Sequence, residues 1–215
     1  MQRKVEWSLF APWKPLLGND GDMVLGEAAL DPPLPDAKPE PMDVVRTFAF
    51  VDISGFTSFC DRHGEQRAVE LLSTFRETVR AASARRGVRV AKWLGDGVML
   101  VGIDEAAVAA TVGEIMVRCE ADDALHTHAG LATGTVLLFE GDDYVGRTVN
   151  LAARLGDAAQ RGEILIAGNA PDLPEWVVPS AVETLEVPGF EDPVTVRYLM
   201  ASEDVRESFR NVPAA

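Results

Sequence analysis

The chain has 215 residues, 47% hydrophobic and 25% charged, a composition suited to a globular domain with one full core. Its net charge of -14 excludes roles resting on non-specific contact with nucleic acid or an anionic membrane surface. Cys60 and Cys119 give neither a disulfide framework nor a metal-ligand spacing, and no apolar run has transmembrane length or the form of a signal-peptide core, so a cytoplasmic location is expected.

Residues 1–45 form a segment of their own. "DPPLPDAKPEP" is proline-rich and acidic, cannot pair regularly in a sheet, and reads as an extended linker. The preceding "VEWSLFAPWKPLL" carries Trp7 and Trp13, which suit docking on the domain or on a partner. From Thr47 the pattern becomes regular, and residues 46–200 are expected to form the main domain, with 201–215 as a tail.

"TFAFVDIS" predicts a buried strand. Val69, Leu71, Leu72, Phe75 and Val79 predict a helix ending at Gly87. "VRVAKW" and "GVMLVG" predict two strands around an Asp-Gly turn, the turn chemistry of a hairpin. "DEAAVAATVGEIMVRCEA" predicts a helix capped by its aspartate. "HAGLATGTVLLFEG" predicts a strand pair, "GRTVNLAARLGDAAQ" a helix and "EILIA" a strand. "VETLEVPGFEDPVTVRYLM" predicts a closing hairpin. Such an order gives the α+β class: a mixed, mainly antiparallel sheet covered by helices.

Three clusters carry candidate chemistry. Asp52 ends an apolar strand and Asp96 sits at a hairpin tip. Each has a local explanation, a helix cap and a turn. Together, on neighbouring strand ends, they form a pair able to hold hard cations. After Asp52, "SGFT" opens a helix whose first amides, at Phe56 and Thr57, favour phosphate groups. Asn150 and Arg154 lie four apart on a helix and project from one face amid small and apolar neighbours. Lys92 donates hydrogen bonds and Asp143 accepts them. An adenine edge, with an acceptor ring nitrogen beside a donor amino group, complements that pair. His126 and His128 share a strand face, but a histidine metal site is not expected from them.

"FAFVDISGFTSF", "KWLGDGVML" and "DYVGRTVNLAARL" together resemble the class III nucleotide cyclase catalytic domain, the adenylyl and guanylyl cyclase homology domain, across residues 46–200. The resemblance implies a ferredoxin-like palm core and a head-to-tail homodimer with active sites at its interface. It implies two Mg²⁺ or Mn²⁺ ions held by Asp52, Asp96 and the backbone carbonyl of Ile53. Lys92 and Asp143 look like the adenine-selecting pair, with ATP as substrate. Asn150 and Arg154 look like the residues that orient the ribose and meet charge in the transition state. Each complete site would take its metal pair from one chain and the other four side chains from the partner.

Two departures stand out. Many family members have an arginine shortly after the "TG" of the preceding hairpin, where Thr135 follows Gly134 here. Some carry a lysine in the closing hairpin, and "EVPGFEDPVTV" has none before Arg197. Arg147 is a candidate substitute. The adenylyl cyclase reading therefore stands beside a second one, a weakly active or inactive cyclase-homology domain that binds nucleotide and regulates a partner. Lys92 and Asp143 argue against guanylyl cyclase. The missing GG(D/E)EF-type turn argues against diguanylate cyclase. No regulator can be read from the sequence.

Overall fold

Strand β1 (Met42–Ile53) runs through the centre of the sheet, and its side chains alternate between two cores. Ala49, Val51 and Ile53 pack with the residues of helices α2 (Glu65–Arg85) and α3 (Glu105–Glu120). Phe48 and Phe50 turn to the other face and meet Ala152 of helix α4 (Arg147–Ala158). This is the period-two pattern of a strand covered on both sides. By the same alternation Asp52 emerges on the α4 face, at the end of the strand.

The computed structural model describes residues 40–121, 125–168 and 173–210, all within one compact unit, Lys38–Ala215. Residues 1–39, with the expected tryptophan segment and most of the proline-rich linker, lie outside the described residues; Met42–Val45, expected to belong to that segment, are instead the start of β1, where they pair with β4. Helix α1 (Phe56–His63) follows β1. Strands β2 (Arg89–Leu94) and β3 (Gly97–Gly102) form the hairpin around Gly95 and Asp96. Asp104 caps α3, accepting from the Ala106 amide at 2.9 Å. Then come β4 (Thr127–Phe139), β5 (Asp143–Val145), α4, β6 (Ile164–Ala167), β7 (Val177–Pro179), β8 (Glu183–Leu185), β9 (Val194–Ala201) and α5 (Glu203–Arg210). The sheet order is β2-β3-β1-β4-β6-β9-β7, with β5 on β4 and β8 on β9. Among the described residues only the β4–β6 pairing is parallel. The α+β class and the mixed, mainly antiparallel sheet are therefore as expected.

One expectation is corrected. "HAGLATGTVLLFEG" is a single strand rather than a strand pair, because β4 pairs with β1 from Thr127 to Leu138 without a break. Gly134 does not turn the chain. A Cβ there would lie 2.6 Å from the Thr148 hydroxyl, so it lets α4 approach. The turn comes later, at Glu140 and Gly141, both with positive φ. The helix α5 was not foreseen.

Helix α4 lies unusually close to the sheet. A Cβ on Gly130 of β4 would come within 2.0 Å of the Gly156 nitrogen, so only glycine permits this approach. The contact lays the C-terminal end of α4 over the end of β1, where Asp52 emerges.

Candidate active site

The two aspartates come together. Asp52 faces Gly97 across the β1–β3 ladder, and Asp96 precedes Gly97 in the β2–β3 turn. Gly95, at φ +69°, makes that turn. Asp52 and Asp96 line one cavity of about 170 Å³ with Phe50, His128, Ala153 and Asp157. Asp52 is half-buried, and burial raises its pKa above the usual 3.8; the charges of Asp96 and Asp157 add to this. His128 and the Ile53 backbone N–H act the other way. Ile53 is buried and ends β1.

Phe56 and Thr57 open α1 beside this strand end. The helix has no side-chain cap and no acidic residue in its first turn, so its leading amides remain available to an anion.

Lys92 and Asp143 also meet. Lys92 Nζ donates to Asp143 Oδ1 at 2.7 Å, linking β2 to β5. The hydrogen bond from Lys92 holds the Asp143 carboxyl below its usual pKa. The β2–β3 register shifts between Val90 and Lys92, an irregularity that re-aims Lys92. Trp93 packs in the α2–α3 core, so its neighbour Lys92 projects to the α4 face.

Asn150 and Arg154 stand on the exposed side of α4, whose buried side is Ala152, Leu155 and Gly156. They line a second, larger cavity of about 630 Å³ with Arg147, Asp157 and Phe190. Arg147 stacks its guanidinium 4.5 Å from the Phe190 ring centroid. Lys92 and Asp143 line neither of these two cavities. Within one chain the candidates thus fall into three groups rather than one closed pocket.

Asp157 escaped the sequence reading, and so did the place of His128 beside Asp52. Asp157 lines both cavities and accepts from Arg154 at 3.2 Å. It stands three residues after Arg154 on one helix, so the spacing offered a signal. His128 is paired with Asp52 across β1 and β4, and its Nδ1 lies 3.0 Å from the Ser54 hydroxyl. Strand register placed it there, and no local pattern announces that.

Residues 38–189 match the family described as the adenylate and guanylate cyclase catalytic domain, which is more than half of the chain; the chain belongs to this family. An uncharacterized protein of Mycobacterium tuberculosis (strain H37Rv) is 36% identical over 168 residues, covering 77% of this chain and 44% of that protein. An adenylate cyclase of Streptomyces coelicolor is 38% identical over 119 residues, covering 54% of this chain and 31% of that enzyme. The chain thus spans less than half the length of these relatives. Among solved structures, the adenylyl cyclase CyaB from P. aeruginosa is 26% identical with a TM-score of 0.64, covering 76% of this chain and 97% of that one. The catalytic core of a rhodopsin-guanylyl cyclase with converted specificity shares the fold, with a TM-score of 0.67 at 21% identity, over 75% of this chain and 99% of that one.

Proposed function

We propose that the chain is an adenylyl cyclase that converts ATP to 3′,5′-cyclic AMP and pyrophosphate. The observation that carries this reading is the Lys92–Asp143 pair, a donor and an acceptor side by side at 2.7 Å. The pair complements the adenine edge, whereas guanine offers the opposite pattern.

Asp52 and Asp96 would hold two divalent cations, Mg²⁺ or Mn²⁺, with the Ile53 carbonyl. The donors fit such ions: hard carboxylate oxygens, two like charges in one cavity, and a raised Asp52 pKa that a cation would relieve. Among the described residues no cluster of three or more His, Cys, Asp or Glu could hold a metal alone. Two carboxylates completed by substrate phosphate oxygens are consistent with that. When bound, the cations would lower the pKa of the ribose 3′-hydroxyl and neutralise the leaving polyphosphate.

The chain's own residues do the rest. The Phe56 and Thr57 amides donate to phosphate oxygens. Asn150 orients the ribose so that its 3′-oxygen lies in line with the α-phosphorus. That oxygen forms the new P–O bond as the bond to the β-phosphate oxygen breaks and pyrophosphate leaves. The hydroxyl proton passes to water or phosphate. Arg154 meets the charge that develops at the α-phosphate. Arg147, in the same cavity, supplies a cation for the terminal phosphates in place of the missing closing-hairpin lysine.

The complete site is proposed to form between two chains head to tail, with Asp52 and Asp96 from one and Lys92, Asp143, Asn150 and Arg154 from the other. The separation of these groups within one chain supports this. So do the exposed apolar residues Met42, Val45, Leu137, Phe139 and Val145 on β1, β4 and β5.

The test is cyclic AMP production by purified protein with Mn²⁺ and then Mg²⁺, across protein concentrations, with Asp52→Ala as control. Activity per molecule that rises with concentration and disappears in the variant supports the reading. ATP binding without product supports a nucleotide-binding regulatory module instead, the reading favoured by Thr135 in place of an arginine.

A further inference from the structure

A third cavity, with charged and apolar lining, lies on the other side of the sheet, among α2, α3 and α5. Its volume is about 360 Å³, and it is lined by Arg85, Arg86, Glu114, Arg118, Trp176, Val205 and Ser208. It shares no residue with the two cavities of the candidate active site.

Its construction is specific. Glu114 leaves only 6% of its side chain exposed, a costly position for a carboxylate without partners. Arg85 donates to it at 2.5 Å and Arg118 Nε at 2.7 Å, and Arg86 bonds its second oxygen. Arginine stays charged at any working pH. Three guanidiniums thus converge on one carboxylate, and these four side chains sum formally to two positive charges beside the cavity. The C-terminal dipole of α2 accounts for a cation at its end. It does not account for three guanidiniums converging on one buried carboxylate.

The wall is equally particular. Gly113 sits inside α3, where glycine costs about 1 kcal/mol relative to alanine. A Cβ there would meet the Trp176 ring at 3.1 Å, so the glycine makes room for the indole. The Arg86 guanidinium lies 5.9 Å from that ring. Arg85 and Arg86 have side chains 48% and 26% exposed, and each presents further N–H groups beyond the one that Glu114 uses.

We infer that this cavity is a binding site for a phosphate dianion, separate from the catalytic cleft. Guanidinium forks match phosphate oxygens in bidentate geometry, and a formal excess of two positive charges over Glu114 suits a dianion better than a single carboxylate. The indole beside the forks suits a phosphate monoester with a flat organic group. Free inorganic phosphate offers the same anionic chemistry.

The experiment is calorimetric titration of the full chain in phosphate-free buffer at constant ionic strength. One arm uses inorganic phosphate, another phenyl phosphate, and potassium chloride is the blank. Saturable binding is expected, weakened about tenfold or more in Arg86→Gln and in Arg85→Gln, as for loss of a charge-assisted hydrogen bond. Thermal unfolding identifies any variant that fails to fold, and the two variants provide separate routes to the answer. Asp96→Asn is expected to leave the affinity unchanged. Tighter binding of phenyl phosphate than of phosphate marks the monoester as the ligand class, and equal binding marks the free anion. No saturable heat in either arm overturns the inference. So does binding that survives in both arginine variants, or binding lost in Asp96→Asn.

Discussion

Gly97 and Asp52 face each other across β1 and β3, and a Cβ on Gly97 would lie 2.7 Å from Asp52 Oδ1. The glycine keeps room for the carboxylate. Gly97→Ala is expected to push Asp52 out of place and weaken Mn²⁺ binding and cyclic AMP formation by about tenfold or more, in line with misplaced positioning groups. Mn²⁺ titration by electron paramagnetic resonance checks the first effect directly. Gly95 makes a contrast: nothing lies within 4 Å of its Cβ position, but its φ is +69°. Gly95→Ala is expected to cost about 1 kcal/mol of stability through backbone strain. Unchanged Mn²⁺ affinity in Gly97→Ala would contradict this account.

Asp52 also sets a pH dependence. Burial first, and then the Asp96 charge, raise its pKa above the usual 3.8. The folded chain therefore binds this proton more tightly than the unfolded chain. Its contribution to stability is most favourable below the unfolded pKa and is lost as pH rises through the folded one. Asp52→Asn removes the penalty of the ionised form. Without divalent cations, the variant is expected to melt above the parent at pH 7, with the difference shrinking as pH falls toward the unfolded value. Added Mn²⁺ is expected to raise the parent's melting temperature more than the variant's. Melting curves with and without the ion decide this, and a variant that melts lower at pH 7 counts against it.

The sequence made much of this arrangement legible, and for identifiable reasons. Asp96 lies within a few residues of its own turn, and Asn150 and Arg154 share one helix face, so local spacing suffices for them. Asp104 as the α3 cap is equally local. His128 is different: it joins Asp52 through the register of β1 on β4, a pairing of distant segments. Gly134 misled because a threonine-glycine pair has turn chemistry, while its purpose is the approach of Thr148 on α4. The arginine cavity has no signature either, since Arg85, Glu114 and Ser208 come from three helices and Trp176 from the segment before β7, and they meet only after these have packed.

Lys92 and Asp143 are expected to govern base choice rather than stability. Their side chains are 50% and 48% exposed, so the ion pair itself contributes on the order of 0–1 kcal/mol to folding. Lys92→Ala and Asp143→Ala should therefore melt close to the parent. The ratio of kcat/KM for ATP over GTP is expected to fall about tenfold or more, because a site built to hydrogen-bond one base edge loses its discrimination. Competition kinetics with both nucleotides measure that ratio. If it stays constant, the pair is not the selector and the case for ATP weakens.

The division of the site between two chains gives the sharpest expectation. Asp52→Ala removes a metal ligand and Arg154→Ala removes the transition-state cation, so each variant alone should be nearly inactive. In a head-to-tail pair formed from both, one site carries both defects and the other carries neither. Random mixing of equal amounts makes half of the dimers mixed, so about a quarter of all sites are intact. Activity is expected to return toward that fraction on the timescale of subunit exchange. The cross of Asp52→Ala with Asp96→Ala should recover nothing, because both residues belong to the same half-site. Recovery in the first cross with none in the second would place the cleft between chains. With exchange demonstrated by a tagged partner, an inactive first cross would put the whole site within one chain and remove the head-to-tail dimer from the proposal.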